Sequence, residues 1–321
     1  MGSISNEQMK SVFLFLLVIP SVVSSQSRLE RLVTGRTMAV SISDNGVLGY
    51  IMFEQNFRSF CKLQAPGEKV IYEANASSCS YIAYVTDSTA FVADEEGEMY
   101  IDTRTSNAGG ISWTRAKLGF KVDPVEVSPG VIKMGKYKGQ TGLFVVTDNA
   151  IGFFYFADSK LEILPILTQE NASQQVVSID YMDNQLAIVL ESRKNRERSY
   201  NVLVWNALSG DVGTVYHGAA TRFFTNEPIV CFRNNKQLFL SYGYAKDDSR
   251  LFLLDISKKT VVMEDKLFAL QVLNIVSDRK GFDVITTINE SSNEVENPSD
   301  VLDVLNAAFA NVETYRIFHD N

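Results

Sequence analysis

The 321-residue chain has two histidines, three cysteines, seven prolines and only one long apolar run. His217 and His319 alone do not supply the ligand cluster of a His/Cys zinc site. Cys61, Cys79 and Cys231 are too few to staple a small disulfide fold. A Gly-x-Ser-x-Gly elbow, a glycine-rich phosphate loop and an EF-hand loop are all missing. A Ser-His-Asp set scattered in sequence would leave no motif, and nothing in the chain points to one. The net charge of −8 makes a general nucleic-acid or anionic-membrane binder a poor reading. These absences lean away from an enzyme.

What is present begins with the apolar run. Lys10 precedes about a dozen apolar residues, and small residues follow, with Val23 and Ser25 placed as the −3 and −1 positions of a cleavage site. Residues 1–25 therefore read as a secretory signal peptide, and 26–321 as the mature domain. The run is interrupted by Pro20 and falls short of the roughly 20 residues that span a bilayer. No second run of spanning length follows, so the mature chain is expected to be extracellular without a membrane span. Three sequons, at Asn75, Asn171 and Asn289, agree with a glycosylated secreted protein. In an oxidising compartment Cys61 and Cys79 are the natural pair. Their expected positions, one in mid-strand and one in an end loop, set that pairing against the ~7 Å Cα limit, so bridged and free forms both stay open. Cys231, in an apolar strand, reads as a small buried hydrophobe.

The strongest signal is a weak repeat. Short apolar strands turn over at Asp44-Asn45, Asp87-Ser88, Gly139-Gln140, Asp183-Asn184, Asn234-Asn235 and Asp278-Arg279, corners 43, 52, 44, 51 and 44 residues apart. A period near 47 with several strands in each period predicts an all-β, six-bladed β-propeller with four-stranded blades. Strands a to d of each blade run outward from the centre. The sixth blade lacks a fourth strand in sequence order. The spare strand at about 28–34 is expected to pair with that at about 314–319, closing the ring and removing an open edge. An insert follows Asn289. Asn297-Pro298-Ser299-Asp300 is a good helix start, and Val301, Leu302, Leu305, Ala308, Phe309 and Val312 then form one apolar face, predicting a short helix at about 298–312 that packs on its own propeller or, as the lesser reading, serves as a partner-binding or lid helix.

One corner, Leu203-Val204-Trp205-Asn206-Ala207-Leu208-Ser209-Gly210-Asp211, resembles the strand–corner–strand unit of WD40 and quinoprotein-type propeller repeats. The resemblance covers one blade well and the others faintly. It implies the architecture only, since the Gly-His and Trp-Asp pairs of WD40 repeats do not recur.

A propeller is a scaffold that hosts many chemistries, and binding usually sits on its variable loops. The longer connections fall at b–c positions, which share one face with the d–a loops. They are the acidic loop with Asp94, Glu95 and Glu96, the basic loop with Arg193, Lys194, Arg196 and Arg198, and the insert after Asn289. The sequons fall on the same face. The leading expectation is a secreted, glycosylated, non-enzymatic module that binds an extracellular protein or small ligand through this face, without a cofactor. One alternative is a calcium-dependent propeller hydrolase or lactonase, with Asp180, Glu126 and Glu227 near the central channel. Another is a small-molecule carrier that uses the channel as its pocket.

Overall fold

The computed structural model describes residues 28–318 apart from 35–36, 44–47, 54–58, 65–71, 74–80, 95, 108–109, 122–130, 148–149, 159, 168–172, 195–196, 221–225, 245–247, 268–269, 279, 281–282 and 290–311. The expected leader at 1–25 lies outside these residues. So does the expected helix, except for Val312, which begins a strand. The described residues are all-β, with no helix among them.

Strand β1 (Arg28–Thr34) comes first in sequence and joins the last sheet. The other strands follow in blade-like groups. One sheet is β2 (Thr37–Ile42), β3 (Leu48–Phe53), β4 (Ser59–Gln64) and β5 (Tyr72–Glu73). Next come β6 (Tyr81–Thr86), β7 (Thr89–Ala93), β8 (Glu98–Asn107) and β9 (Gly110–Lys121). The third group is β10 (Ile132–Tyr137), β11 (Gln140–Thr147), β12 (Ala150–Tyr155) and β13 (Lys160–Leu164). Then come β14 (Gln175–Met182), β15 (Gln185–Lys194), β16 (Glu197–Asn206) and β17 (Val212–Ala220). The fifth is β18 (Asn226–Asn234), β19 (Gln237–Tyr244), β20 (Asp248–Asp255) and β21 (Thr260–Leu267). The last runs β22 (Leu270–Ser277), β23 (Asp283–Asn289), β24 (Val312–Phe318) and then β1. Strand β1 lies antiparallel to β24, with Leu29 opposite Ile317.

This is a propeller arrangement of four-stranded, antiparallel blades. Its innermost strands β2, β6, β10, β14, β18 and β22 each contact the next, and β22 also contacts β2. The apolar core lies between the faces of neighbouring sheets. Phe144, Phe153 and Ile151 of one sheet meet Ile179, Ile188, Leu190 and Trp205 of the next, and all are buried. Val189, Tyr200 and Val202 meet Val230, Leu238, Leu240 and Phe252 in the same way. The alternation of strand side chains supplies an apolar set to each face, which is why both faces of a blade bury core.

The a–b turns follow the corner residues. Asp183 and Asn184 have φ of 45° and 63°, and Lys138 and Gly139 have 49° and 78°. Positive φ at both central residues is the geometry of the two-residue hairpin turn that matches strand twist. One hairpin departs from expectation. Strand β8 runs past the end of its apolar alternation, because residues 103–107 are polar and pair with 110–114 of β9. They are held by cross-strand polar pairs. Arg115 Nε and Nη2 each donate to Asp102 at 2.7 Å, and the Thr105 and Ser112 hydroxyls lie 2.8 Å apart.

Candidate functional site

The first strand of each blade faces the propeller centre, where its inner edge has no neighbouring strand to complete a ladder. Backbone groups there still need partners. Side chains supply them from one blade to the next. Ser41 Oγ accepts from the Tyr84 N–H at 3.1 Å, Tyr81 Oη from the Met134 N–H at 3.3 Å, and Asp180 Oδ2 from the Phe232 N–H at 2.6 Å. Tyr181 Oη donates to the Lys136 carbonyl at 2.8 Å, and Ser277 Oγ to the Arg233 carbonyl at 3.4 Å. The partners of these five contacts are 43, 53, 52, 45 and 44 residues apart. Those separations match the corner spacing of the sequence, so the repeat and the inter-blade stitching are one pattern. The Tyr181 contact needs Gly135. A Cβ there would lie 2.6 Å from the Tyr181 ring.

These strands enclose a central cavity of about 160 Å³. Its lining comes from all six innermost strands and includes Ser41, Tyr81, Lys133, Asp180, Cys231 and Asn274. It reaches Ser43, Thr86 and Ser277, at the ends of β2, β6 and β22, and so extends toward the a–b turns. Lys133 Nζ lies 3.4 Å from Asp180 Oδ1. Burial works against the Lys133 ammonium, but Asp180, Tyr81 and Cys231 together outweigh it and hold the group above the ordinary lysine value. The Tyr81 hydroxyl is also pushed up, chiefly by burial. Lys133 carried no motif. Its one signal was a charge inside a predicted innermost strand, one repeat before Asp180.

The structure separates the loop residues expected to bind. Asp94 is buried, and Oδ1 accepts from the N–H groups of Glu96 and Glu98, both at 2.9 Å, while Tyr100 donates to Oδ2 at 3.1 Å. Its carboxylate shapes the turn, helped by Gly97 at φ 78°. Glu96 is exposed and Glu95 lies outside the described residues. In the basic loop, Arg193 is ion-paired with Glu191, and Arg198 Nη1 lies 3.6 Å from the second Glu191 oxygen. Glu191 is buried, so it anchors two cations at the base of the hairpin. Lys194 is exposed and Arg196 lies outside the described residues.

Of the sequons, Asn75 and Asn171 lie outside the described residues, and Asn289 ends β23. Cys61 falls within β4, opposite Ile51, and Cys79 lies outside the described residues. Cys231 is buried in β18, as expected for a core position. Of the residues considered for calcium, Asp180 reaches the cavity, Glu227 lies in β18 and Glu126 lies outside the described residues. His217 sits in β17 opposite Asn201, with Nδ1 2.7 Å from the Asn201 side-chain oxygen. Among the described residues no three His, Cys, Asp or Glu side chains gather as a metal cluster, and no helix is long and apolar enough to cross a membrane.

No protein-family model matches the chain, and no curated protein matches it. Solved structures do resemble it. One is the extracellular domain of a candidate one-component system from B. thetaiotaomicron, at 11% identity and TM-score 0.47, with 86% of this chain and 36% of that chain covered. Another is the Swd1 β-propeller domain of Myceliophteria thermophila, at 10% identity and TM-score 0.46, covering 87% and 83%. A third is Sqt1 of Saccharomyces cerevisiae, at 8% identity and TM-score 0.46, covering 92% and 100%. The propeller assignment itself rests on the sheet order and the inter-blade packing.

Proposed function

We propose that this chain is a secreted, glycosylated, non-enzymatic binding propeller. In this reading six blades close into one ring through β1, and a small ligand sits in the central channel. The polar cavity lined by all six innermost strands carries the proposal. Pockets that use a few convergent polar groups on a rigid frame are the usual form of a small-molecule site. The leader at 1–25 and the sequons at Asn75, Asn171 and Asn289 support export and glycosylation. A melting-temperature screen of small polar compounds tests the reading, because a ligand that binds only the folded state stabilises it by about 2.7 kcal/mol at 100 times Kd. A ligand found this way should lose its effect in Ser277→Trp, which fills the channel. Equal binding by that variant, or no responding compound, would overturn the channel reading.

A second reading uses the b–c loop face. Buried Glu191 fixes Arg193 and Arg198 beside exposed Lys194, presenting an oriented cationic ridge suited to an acidic protein surface. Capture of an acidic extracellular partner that survives Ser277→Trp but is lost in Lys194→Glu would favour it. A calcium hydrolase fits the channel less well, because the Lys133 ammonium already faces Asp180. A chelator should therefore leave the melting temperature unchanged. A fall of several degrees, restored by calcium, would revive that alternative.

A further inference from the structure

Among the described residues that line the channel cavity, Lys133 and Asp180 are the ionic ones. The two are unequally satisfied. Asp180 Oδ2 takes a hydrogen bond from the Phe232 N–H at 2.6 Å, and Oδ1 faces Lys133. Lys133 has that one acceptor among the described residues, at 3.4 Å, which is beyond the ordinary hydrogen-bond range of about 2.7–3.2 Å. An ammonium carries three donors, so most of its capacity stays unspent on protein. The side chain nevertheless keeps 19% of its surface accessible and lines the cavity.

A simple ion suits this pair badly. An anion placed at Lys133 meets the Asp180 carboxylate, and a cation placed at Asp180 meets the Lys133 ammonium. Charges in a narrow, partly desolvated channel interact more strongly than in water, so either mismatch is costly. A molecule with both signs on neighbouring atoms satisfies both groups and leaves the channel's charge unchanged. A cavity of about 160 Å³ gives room for a molecule the size of a free amino acid.

Resting on the channel reading above, we propose that the seat takes a small zwitterion of the α-amino acid class, with its carboxylate on Lys133 Nζ and its ammonium on Asp180 Oδ1. The carboxylate takes the donors that Asp180 leaves unused, and charge assistance makes those bonds short and strong. The ammonium replaces the long Lys133 contact on Oδ1, while Oδ2 stays with the Phe232 N–H.

Calorimetric titration of the mature protein with glycine, alanine, serine and proline tests this, with propionate and ethylamine as the single-charge controls. At least one amino acid should bind at least tenfold more tightly than either control. Lys133→Met should weaken that amino acid at least tenfold. Propionate or ethylamine binding as tightly as the amino acids would overturn the zwitterion class and leave the channel reading standing. So would a response to a neutral compound such as glycerol alone, if Ser277→Trp abolished it. Unchanged amino-acid binding by Lys133→Met would remove Lys133 from the site. If no probe binds at all, this proposal and the channel reading fall together. The comparison of controls uses wild-type protein and decides the class even if Lys133→Met does not fold.

Discussion

At Lys259 the backbone has φ 55°, where the matching corner one blade earlier has Gly210 at φ 80°. The two corners are otherwise built alike. Asn206 Oδ1 accepts from the N–H groups of Leu208 and Ser209, and Asp255 Oδ1 from Lys258 N–H and Ser257 Oγ. Each corner also tucks under its own blade's a–b turn, through Ala207 N–H to the Asn184 carbonyl and Ile256 N–H to the Lys236 carbonyl. A left-handed conformation costs a residue with a Cβ roughly 1–2 kcal/mol, which glycine avoids at some loss of entropy. Lys259→Gly should therefore stabilise the protein by up to about 1 kcal/mol in urea unfolding, and Gly210→Ala should destabilise it by about as much. A second residue-level expectation concerns pH. Burial, then the hydrogen bond and charge of Glu162, push the Tyr155 hydroxyl from 10.0 up to about 12. A raised folded-state value means stability that is complete below 10.0 and lost as pH climbs toward about 12. Tyr155→Phe should show a shallower loss of stability across that window, measured by denaturant midpoints at a series of pH values.

At the scale of the element, the acidic turn shows how a sequence cue and a structural role diverge. The run from Asp94 to Glu98 looks like a solvated anionic tip, and nothing in the sequence separates one carboxylate from another. In the fold Asp94 turns inward and binds two backbone N–H groups and a phenol, and Glu98 pairs with Lys117 at 2.6 Å. Leaving those donors unpaired costs about 1–3 kcal/mol, so Asp94→Ala should lower stability by that amount, while Glu96→Ala should change it by less than about 0.5 kcal/mol. Thermal and urea melts of the two variants check this contrast. The strands themselves were legible because apolar alternation and corner residues recur together. The polar end of β8 was not, since Asp102 pairs with Arg115 by charge and Thr105 with Ser112 through their hydroxyls, contacts that leave no hydrophobic period. Lys133 was missed for a related reason. A charge in an innermost strand has meaning only once the blades are set around a common axis.

For the whole molecule, the sheet faces carry the stability. Phe144 is fully buried where two sheets meet, its ring centroid 4.8 Å from that of Phe153 and 4.9 Å from that of Tyr181. Phe144→Ala should cost about 3–5 kcal/mol, read from the urea midpoint. The N-terminal strand acts at this scale as well. It covers the outer edge of β24, and an uncovered edge is a template for pairing with another chain. Deleting 28–34 should lower the melting temperature and produce self-association visible by light scattering. A monomeric deletion variant of unchanged melting temperature would show that the edge needs no cover. The repeat announced the four-stranded blades in the sequence, whereas the cavity among their innermost strands had no linear signature.

The pairing of Arg28 with Phe318 also sets an order in time. Of the described strands, β1 is made first and paired last. At about 5–20 residues per second, roughly 15 to 60 seconds of synthesis separate its appearance from that of its partner. During that wait the earlier sheets have the chance to form one by one, each hairpin finding its neighbour locally. The last sheet has no such freedom, because one of its four strands, β1, precedes all the other described strands in sequence. Its completion therefore reports that the chain has been made through β24, so a product truncated before that strand would retain an unpaired edge by which quality control could recognise it.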